Sequence, residues 1–436
     1  MQKRFFKYIT LNMLGALGLS GYILADTFFV ANRLGSNGLA ALNLAISVFG
    51  LINGLGMLLG IGGATRYSIC RYQGDEERAN RTFTAAAAWG VLLGLGLALA
   101  GGLWAGPLAA RLGAEGAAMP MCTSYLRTVL LFAPCFILNH ILIAFVRNDG
   151  NPKLAMTAML VGSLANIVLD YVFLYPMNLG IFGAALATGT APVIGLCISG
   201  VHILTGRNRF RLRPPPLRPR VLADLAGLGS AAFLNECSSG VVLVVYNLLM
   251  MGLAGTLGVA TYGIVANLAL MALALFTGMS QGAQPLISQA HGRGEREQVG
   301  RLYRLALLLG GLAGAGVAAL AVLAAPALAA LFNAAGDPLL QQMAVEGLRL
   351  YFLGFPLAGV NIVTAACLGA TERARASFLL SLFRGGVGIV AVVLVFAALF
   401  GRTGIWLAFP ATEALTLLLS TVLLRVPRAA AAEVSG

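Results

Sequence analysis

Apolar runs of about 20 residues or longer recur along the chain, separated by short polar stretches. Twelve helical crossings can be drawn: 8–30, 39–67, one ending near 112, 121–146, two joined within 163–189, then 221–250, 256–288, 301–332, 340–369, 375–399 and 404–425. The runs lack the alternation of barrel strands, so helices are the spanning element. The stretch R-N-D-G-N-P-K (147–153) is a turn by chemistry, with Asn, Asp, Gly and Pro in succession. The glycines of span two allow that span to bend.

One polar stripe interrupts this pattern. Asn166 and Asp170 lie four residues apart on span five and share a helix face, which Ser163 extends. Thr188 follows on span six, and Asp26 falls in the second half of span one. A carboxylate inside a membrane span costs about 2.5–3.5 kcal/mol on insertion scales. Side-chain oxygens are what a hard cation such as Na⁺ requires. If Asp26 faces Asp170, the pair is suited to exchanging a proton for Na⁺.

Composition agrees with the pattern. The 436 residues are 59% hydrophobic and 10% charged, with a mean hydropathy of +0.86 and 55 Gly that suit close helix–helix approach. The net charge of +13 is a topology signal and not a nucleic-acid one. With the N-terminus inside, Arg33, Arg111 and Arg402 fall outside, and Arg127, Arg349 and Arg384 lie in or near spans. The rest of the 29 Lys and Arg fall in inside loops or tails, which predicts cytoplasmic termini. Arg66, Arg147 and Arg384 are expected to snorkel to the inner interface. Met-Gln-Lys-Arg leads straight into span one, which reads as a span and not as a cleaved leader. Cys70, Cys122, Cys135, Cys197, Cys237 and Cys367 read as small apolar residues without metal spacing.

An internal repeat appears at an offset of about 220 residues. Gly62, Ser68, Gly74 and Arg81 recur as Gly282, Ser288, Gly294 and Arg301. Leu126-Arg127 and Pro134 recur as Leu348-Arg349 and Pro356, and Gly180-Ile181 as Gly404-Ile405. Six spans per half is an even number, so both halves enter from the same side. The expectation is an all-α integral membrane protein with twelve transmembrane helices in two six-helix lobes, related by a parallel pseudo-twofold repeat. The divisions are 1–205, a basic Pro-rich linker 206–220 resting on headgroups, and 221–436, which ends in a cytoplasmic tail.

Among the 16 acidic residues, Asp26, Asp170, Glu236 and Glu413 lie within spans. Each is either a coupling group or a buried acid satisfied by a neighbour. Asn139 and His140 on span four, and Gln281 and Gln284 on span eight, line a cavity or pack helix to helix. No His-Glu-x-x-His site and no Walker loop appear, so neither a metalloenzyme nor a nucleotide-driven pump is expected.

The segments L-A-D-T-F-F-V-A-N-R-L-G-S-N-G-L-A-A-L-N, R-N-D-G-N-P-K-L-A-M, N-I-V-L-D-Y-V-F…G-I-F-G-A-A-L-A-T-G and Q-G-A-Q-P-L-I-S resemble the MATE family of multidrug and toxic compound extrusion antiporters, and lean toward its MepA-like and DinF-like bacterial branches. The resemblance covers nearly the whole chain. It implies two lobes in a V that alternate between inward- and outward-open states. It also implies export of amphipathic, often cationic, compounds in exchange for Na⁺ or H⁺ across the bacterial inner membrane, by a monomer with no cofactor besides the coupling ion. A first-lobe cation site in such proteins would match Asp26, Asn166, Asp170 and Thr188. Glu236 answers one of the second-lobe acids of the NorM-like branch, but span ten has no acid at its centre, which favours the first lobe. A lipid-linked oligosaccharide flippase of the same superfamily is the alternative.

Overall fold

The computed structural model describes residues 2–214, 218–333 and 336–425. The middle of the proline run in the linker and the tail beyond 425 lie outside the described residues.

The described chain is helical with short turns. Spans one and two are Gln2–Gly35 and Asn37–Tyr72; span three is Glu76–Arg111. Span four is bent by 47° between Ala118–Leu131 and Ala133–Asn148. The bend falls just before Pro134, whose ring and missing N–H interrupt the helix ladder. Spans five and six are Pro152–Leu174 and Gly180–Leu204. Pro219–Gly292 holds 74 residues, about 110 Å if straight, against a hydrocarbon core of about 30 Å. It breaks at Gly255 into spans seven and eight. Arg296–Leu323, continued by Ala325–Phe332, is span nine, and Pro338–Ala370 is span ten. Ala374–Arg425 breaks at Gly401 into spans eleven and twelve. Span two runs without a break despite its glycines.

The repeat is written into the backbone. Gly35 (φ 65°, ψ −157°) and Gly255 (φ 61°, ψ −153°) stand in the same conformation, which is essentially closed to side chains, at the same point of each half. Pro134 and Pro356 likewise both follow interruptions, the second a 3₁₀ turn at Phe352–Gly354. Each half gathers its own apolar core. One centres on Tyr67, Phe83, Phe136 and Phe145, and the other on Tyr246, Tyr262, Phe276, Phe355 and Trp406.

The linker makes contacts that its composition did not predict. Phe210 is fully buried against Tyr67, Phe83 and Phe145. The backbone N–H groups of Arg209, Arg211 and Arg213 donate to Asp149 Oδ2 (2.8 Å), Asn80 Oδ1 (2.8 Å) and Thr84 Oγ1 (2.9 Å). The described first part of the linker is therefore strapped to the first lobe by one aromatic side chain and three backbone bonds.

The face that carries Gln2, the turns at 73–75, 149–151, 293–295 and 371–373, and Arg425 is called here the terminal face. The lobes meet in a seam toward it. A Cβ on Gly229 would lie 1.9 Å from the carbonyl oxygen of Leu58, so spans seven and two touch backbone to backbone. Phe5, Tyr8 and Ile9 of span one join the second lobe's core. Arg66 closes the edge of the seam. Its Nε donates to Asp224 Oδ2 (2.7 Å), and it also pairs with Glu372, which meets His291 Nε2 at 3.1 Å. The hydrogen bond from His291, and then Arg66, hold the Glu372 carboxyl at about 2, below its ordinary 4.5. Its stabilising contribution is thus full above pH 4.5 and is lost as pH falls through about 2.

Gly255→Val forces a β-branched residue into a conformation reserved for glycine, although nothing crowds the position. The expected loss is about 1–3 kcal/mol of stability, read as a lowered thermal midpoint of the purified protein. Gly240→Ala, at an uncrowded helical position, should hold or raise the midpoint.

Candidate functional site

Spans one and five pack closely, with Gly15 and Gly18 of the first set against Met159 and Leu160 of the other. This contact, which sequence left open, brings Asp26 near enough to Asp170 for the two carboxylates to act on each other electrostatically. Asp26, Asn166, Asp170 and Thr188 are all buried, with Asn166 and Asp170 fully inaccessible. In the orientation that satisfies both ends of its amide, Asn166 donates to Asp170 Oδ2 at 3.1 Å and accepts from the Thr188 N–H at 3.1 Å. The stripe on span five is therefore tied to span six through the residue four positions before its acid.

What remains around that bond is a set of unpaired oxygens. Asp26 Oδ1, Asp170 Oδ1 and Thr188 Oγ1 are buried without a hydrogen-bond partner. Among the described residues, the ion pairs leave both aspartates without a cation. Buried acceptors normally find donors, and unpaired ones are expensive. A proton on either carboxyl, or one Na⁺ shared by these oxygens, answers the deficit with hard-ligand chemistry. Tyr22 and Tyr125 stand within electrostatic reach of both aspartates, and Tyr22 also of Glu236 on span seven. Tyr22 precedes Asp26 by four residues on span one, so a shared face was the available signal for it; Tyr125 lies on span four, apart from both aspartates, and reads in sequence as ordinary packing.

Glu413 sits elsewhere. It is 1% exposed and pairs through Oε1 with Arg384 Nε at 2.8 Å. Asn361 donates from Nδ2 to Glu413 Oε2 at 2.8 Å and to its backbone oxygen at 2.9 Å. Arg384 therefore does not snorkel: a buried acid on span twelve holds it inside. The lone amide in the apolar run of span ten was the available signal for Asn361.

Arg147 also corrects the snorkelling expectation. It is 2% exposed, and its Nη1 donates to Asn12 Oδ1 and to Gln281 Oε1, each at 2.9 Å. Gln284 joins the same seam. Its Oε1 accepts from Asn148 Nδ2 at 3.1 Å, and its Nε2 donates to Thr65 Oγ1 at 2.8 Å. These two glutamines thus bridge the lobes. His140 meets Asn53 Oδ1 at 2.9 Å, and Asn139 lies against Gly195, both inside the first lobe.

Two six-span lobes, a polar seam and a buried acid pair define a membrane transporter fold. The MatE family model matches residues 13–172 and 231–394, one block in each lobe, and the chain belongs to that family. A multidrug export protein MepA from Staphylococcus saprophyticus is 27% identical over 397 residues, covering 90% of this chain and 86% of the relative. A MepA from Staphylococcus aureus is 26% identical with the same coverage. A solved structure described as the outward-facing conformation of a multidrug resistance MATE family transporter of the MOP superfamily superposes with a TM-score of 0.89 at 23% identity, over 97% of each chain.

Removing one partner of the buried Glu413–Arg384 pair leaves the other charge uncompensated. Glu413→Gln should cost about 3–5 kcal/mol of stability, and pairing it with Arg384→Met should recover most of that. Thermal unfolding of the three purified proteins checks this. A double variant as unstable as the single one would show that the pair's charge compensation is not what matters.

Proposed function

We propose that the chain is a secondary active multidrug exporter that exchanges amphipathic, often cationic, compounds for Na⁺ or H⁺ by alternating access. The observation that carries this reading is the group of unpaired oxygens on Asp26, Asp170 and Thr188 around Asn166. The bacterial relatives' names support drug export over lipid flipping, and a bacterial cytoplasmic membrane as its location.

The distribution of positive residues supports a cytoplasmic terminal face. On that orientation the seam shuts the cytoplasmic side, and the conformation is outward-facing. Binding of the coupling ion from outside neutralises the aspartate pair, and the release of its charge–charge repulsion alters the packing of span one on spans five and six. Ion and drug then bias the same two-state equilibrium in opposite senses. One charge crossing about 100 mV supplies about 2.3 kcal/mol, enough for a substrate gradient of roughly 50-fold. Asp26 and Asp170 carry the ion, Asn166 fixes the Asp170 carboxylate, and Thr188 supplies a neutral oxygen. Glu236 of span seven lies within electrostatic reach of Tyr22.

Ethidium efflux from everted vesicles tests the assignment, with a Na⁺ gradient and a pH gradient imposed separately. Wild type should export under one gradient and thereby name the ion. Asp170→Asn should lose at least about tenfold of that rate, the loss expected when a buried charged ligand is removed. Undiminished export by Asp170→Asn would remove the first-lobe site and turn attention to Glu236.

A further inference from the structure

We propose that a cleft between Arg78 and Arg220 at the terminal face binds the phosphate of an anionic phospholipid, which bridges the two lobes there. The statement does not depend on the export reading.

The cleft offers about 510 Å³, a volume of the size that holds small ligands. One wall is the start of span three, from Asp75 to Thr82, together with Arg66 of span two. The other wall is the start of span seven, from Arg220 to Leu225. It therefore lies between the lobes, beside the Arg66 ion pairs at the edge of the seam. Four arginines and three acids line it, and the acids are engaged. Asp224 holds Arg66, and Glu77 Oε1 meets Arg81 Nη2 at 2.6 Å. Asp75 Oδ1 caps span three by accepting from the Arg78 N–H at 2.9 Å. Arg66 has Glu372 as a second partner. Among the described residues, the guanidinium groups of Arg78 and Arg220 have neither an ion pair nor a hydrogen bond.

Arg78 belongs to the first lobe and Arg220 to the second. Two like charges across a cleft repel, and an anion between them turns that repulsion into a bridge. The strap adds to the positive surplus. Its backbone bonds to Asn80 and Thr84 hold Arg211 and Arg213 beside the first wall, with both arginines exposed. Residues 207–213 contain no acid. Guanidinium forks match the oxygens of a phosphate. A choline group meets the same excess of positive charge, so a lipid of net negative charge is the one favoured.

The exposed face of span three favours a lipid over a free phosphate. Ala88, Leu92, Leu95 and Leu99 follow Arg81 at intervals that keep one helix face. The three leucines are exposed, forming an apolar stripe turned to the hydrocarbon. The cleft therefore stands at the head of a surface along which acyl chains lie. Val221 and Leu225 supply apolar contact on its other wall.

The purified full chain in detergent is titrated with dioleoylphosphatidylglycerol, dioleoylphosphatidylcholine and glycerol 3-phosphate, and bound molecules are counted by native mass spectrometry. Phosphatidylglycerol should bind about tenfold more tightly than phosphatidylcholine, and glycerol 3-phosphate more weakly than phosphatidylglycerol. Arg78→Gln and Arg220→Gln should each weaken phosphatidylglycerol about fivefold, and Lys at either position should recover most of that loss. Arg111→Gln, at the opposite end of span three, should leave binding within about twofold. Bound phosphatidylglycerol should raise the thermal midpoint of wild type but not of the double variant. Equal affinity of wild type for the two lipids overturns the proposal whether or not the variants fold. So does undiminished binding by the folded double variant. A loss with only one of the two substitutions places the site on a single lobe and overturns the bridge. Glycerol 3-phosphate binding as tightly as the lipid overturns the lipid occupant and makes the cleft a site for a soluble phosphate. None of these readouts involves transport, so a failure of the export reading leaves them unchanged.

Discussion

The architecture depends on how closely two lobes can approach without water to drive them together. Between helices in lipid, packing distance sets the strength of association, and a residue without Cβ permits the shortest one. Gly229 lies against the Leu58 carbonyl, and Gly278 against the backbone of Asn12 and Met13. These contacts bring spans two and seven, and spans one and eight, into backbone contact toward one face. That proximity puts Arg147 in reach of Gln281, Thr65 in reach of Gln284, and Arg66 in reach of Asp224 and Glu372. The polar bonds of the seam are thus a consequence of the glycine contacts. Being few and directional, they can also be exchanged as a set when the lobes rock.

The strap after span six adds a second constraint. With Phe210 seated between Phe83 and Phe145, and three backbone bonds to the first lobe, residues 207–213 move with that lobe. The described first part of the linker thus belongs mechanically to the first lobe as far as Arg213. Its basic side chains remain available to headgroups, because the bonds to the lobe use backbone donors.

Much of this was legible from the chain. Apolar runs gave twelve crossings, and the offset of about 220 residues anticipated the paired breaks at Gly35 and Gly255. Asn166 and Asp170 were legible because both lie on one helix, where four residues define a face. The approach of Asp26 was not, since it depends on how spans one and five pack. The same limit explains two of the three arginines expected to snorkel. Proximity to a span end favours that reading, and what overrides it are partners contributed by other helices: Asn12 and Gln281 for Arg147, and Glu413 for Arg384. Phe210 was hidden differently. It is one aromatic residue among arginines and prolines, and composition weighs the many over the one.

The two lobes treat buried acid in opposite ways, and the contrast bears on where coupling resides. Glu413 has a guanidinium at 2.8 Å and an amide on its other oxygen, so its charge is balanced within the protein. A proton or Na⁺ arriving there competes with a fixed cation and gains little. Asp26 and Asp170 have each other, a single Asn166 bond and unpaired oxygens. Two carboxylates at hydrocarbon depth without a protein cation are tolerable only when a cation comes from solution. On this reasoning the repeat supplies two similar scaffolds, and the contrast between the paired Glu413 and the unpaired oxygens of Asp26 and Asp170 is what supports the proposed ion coupling in the first lobe.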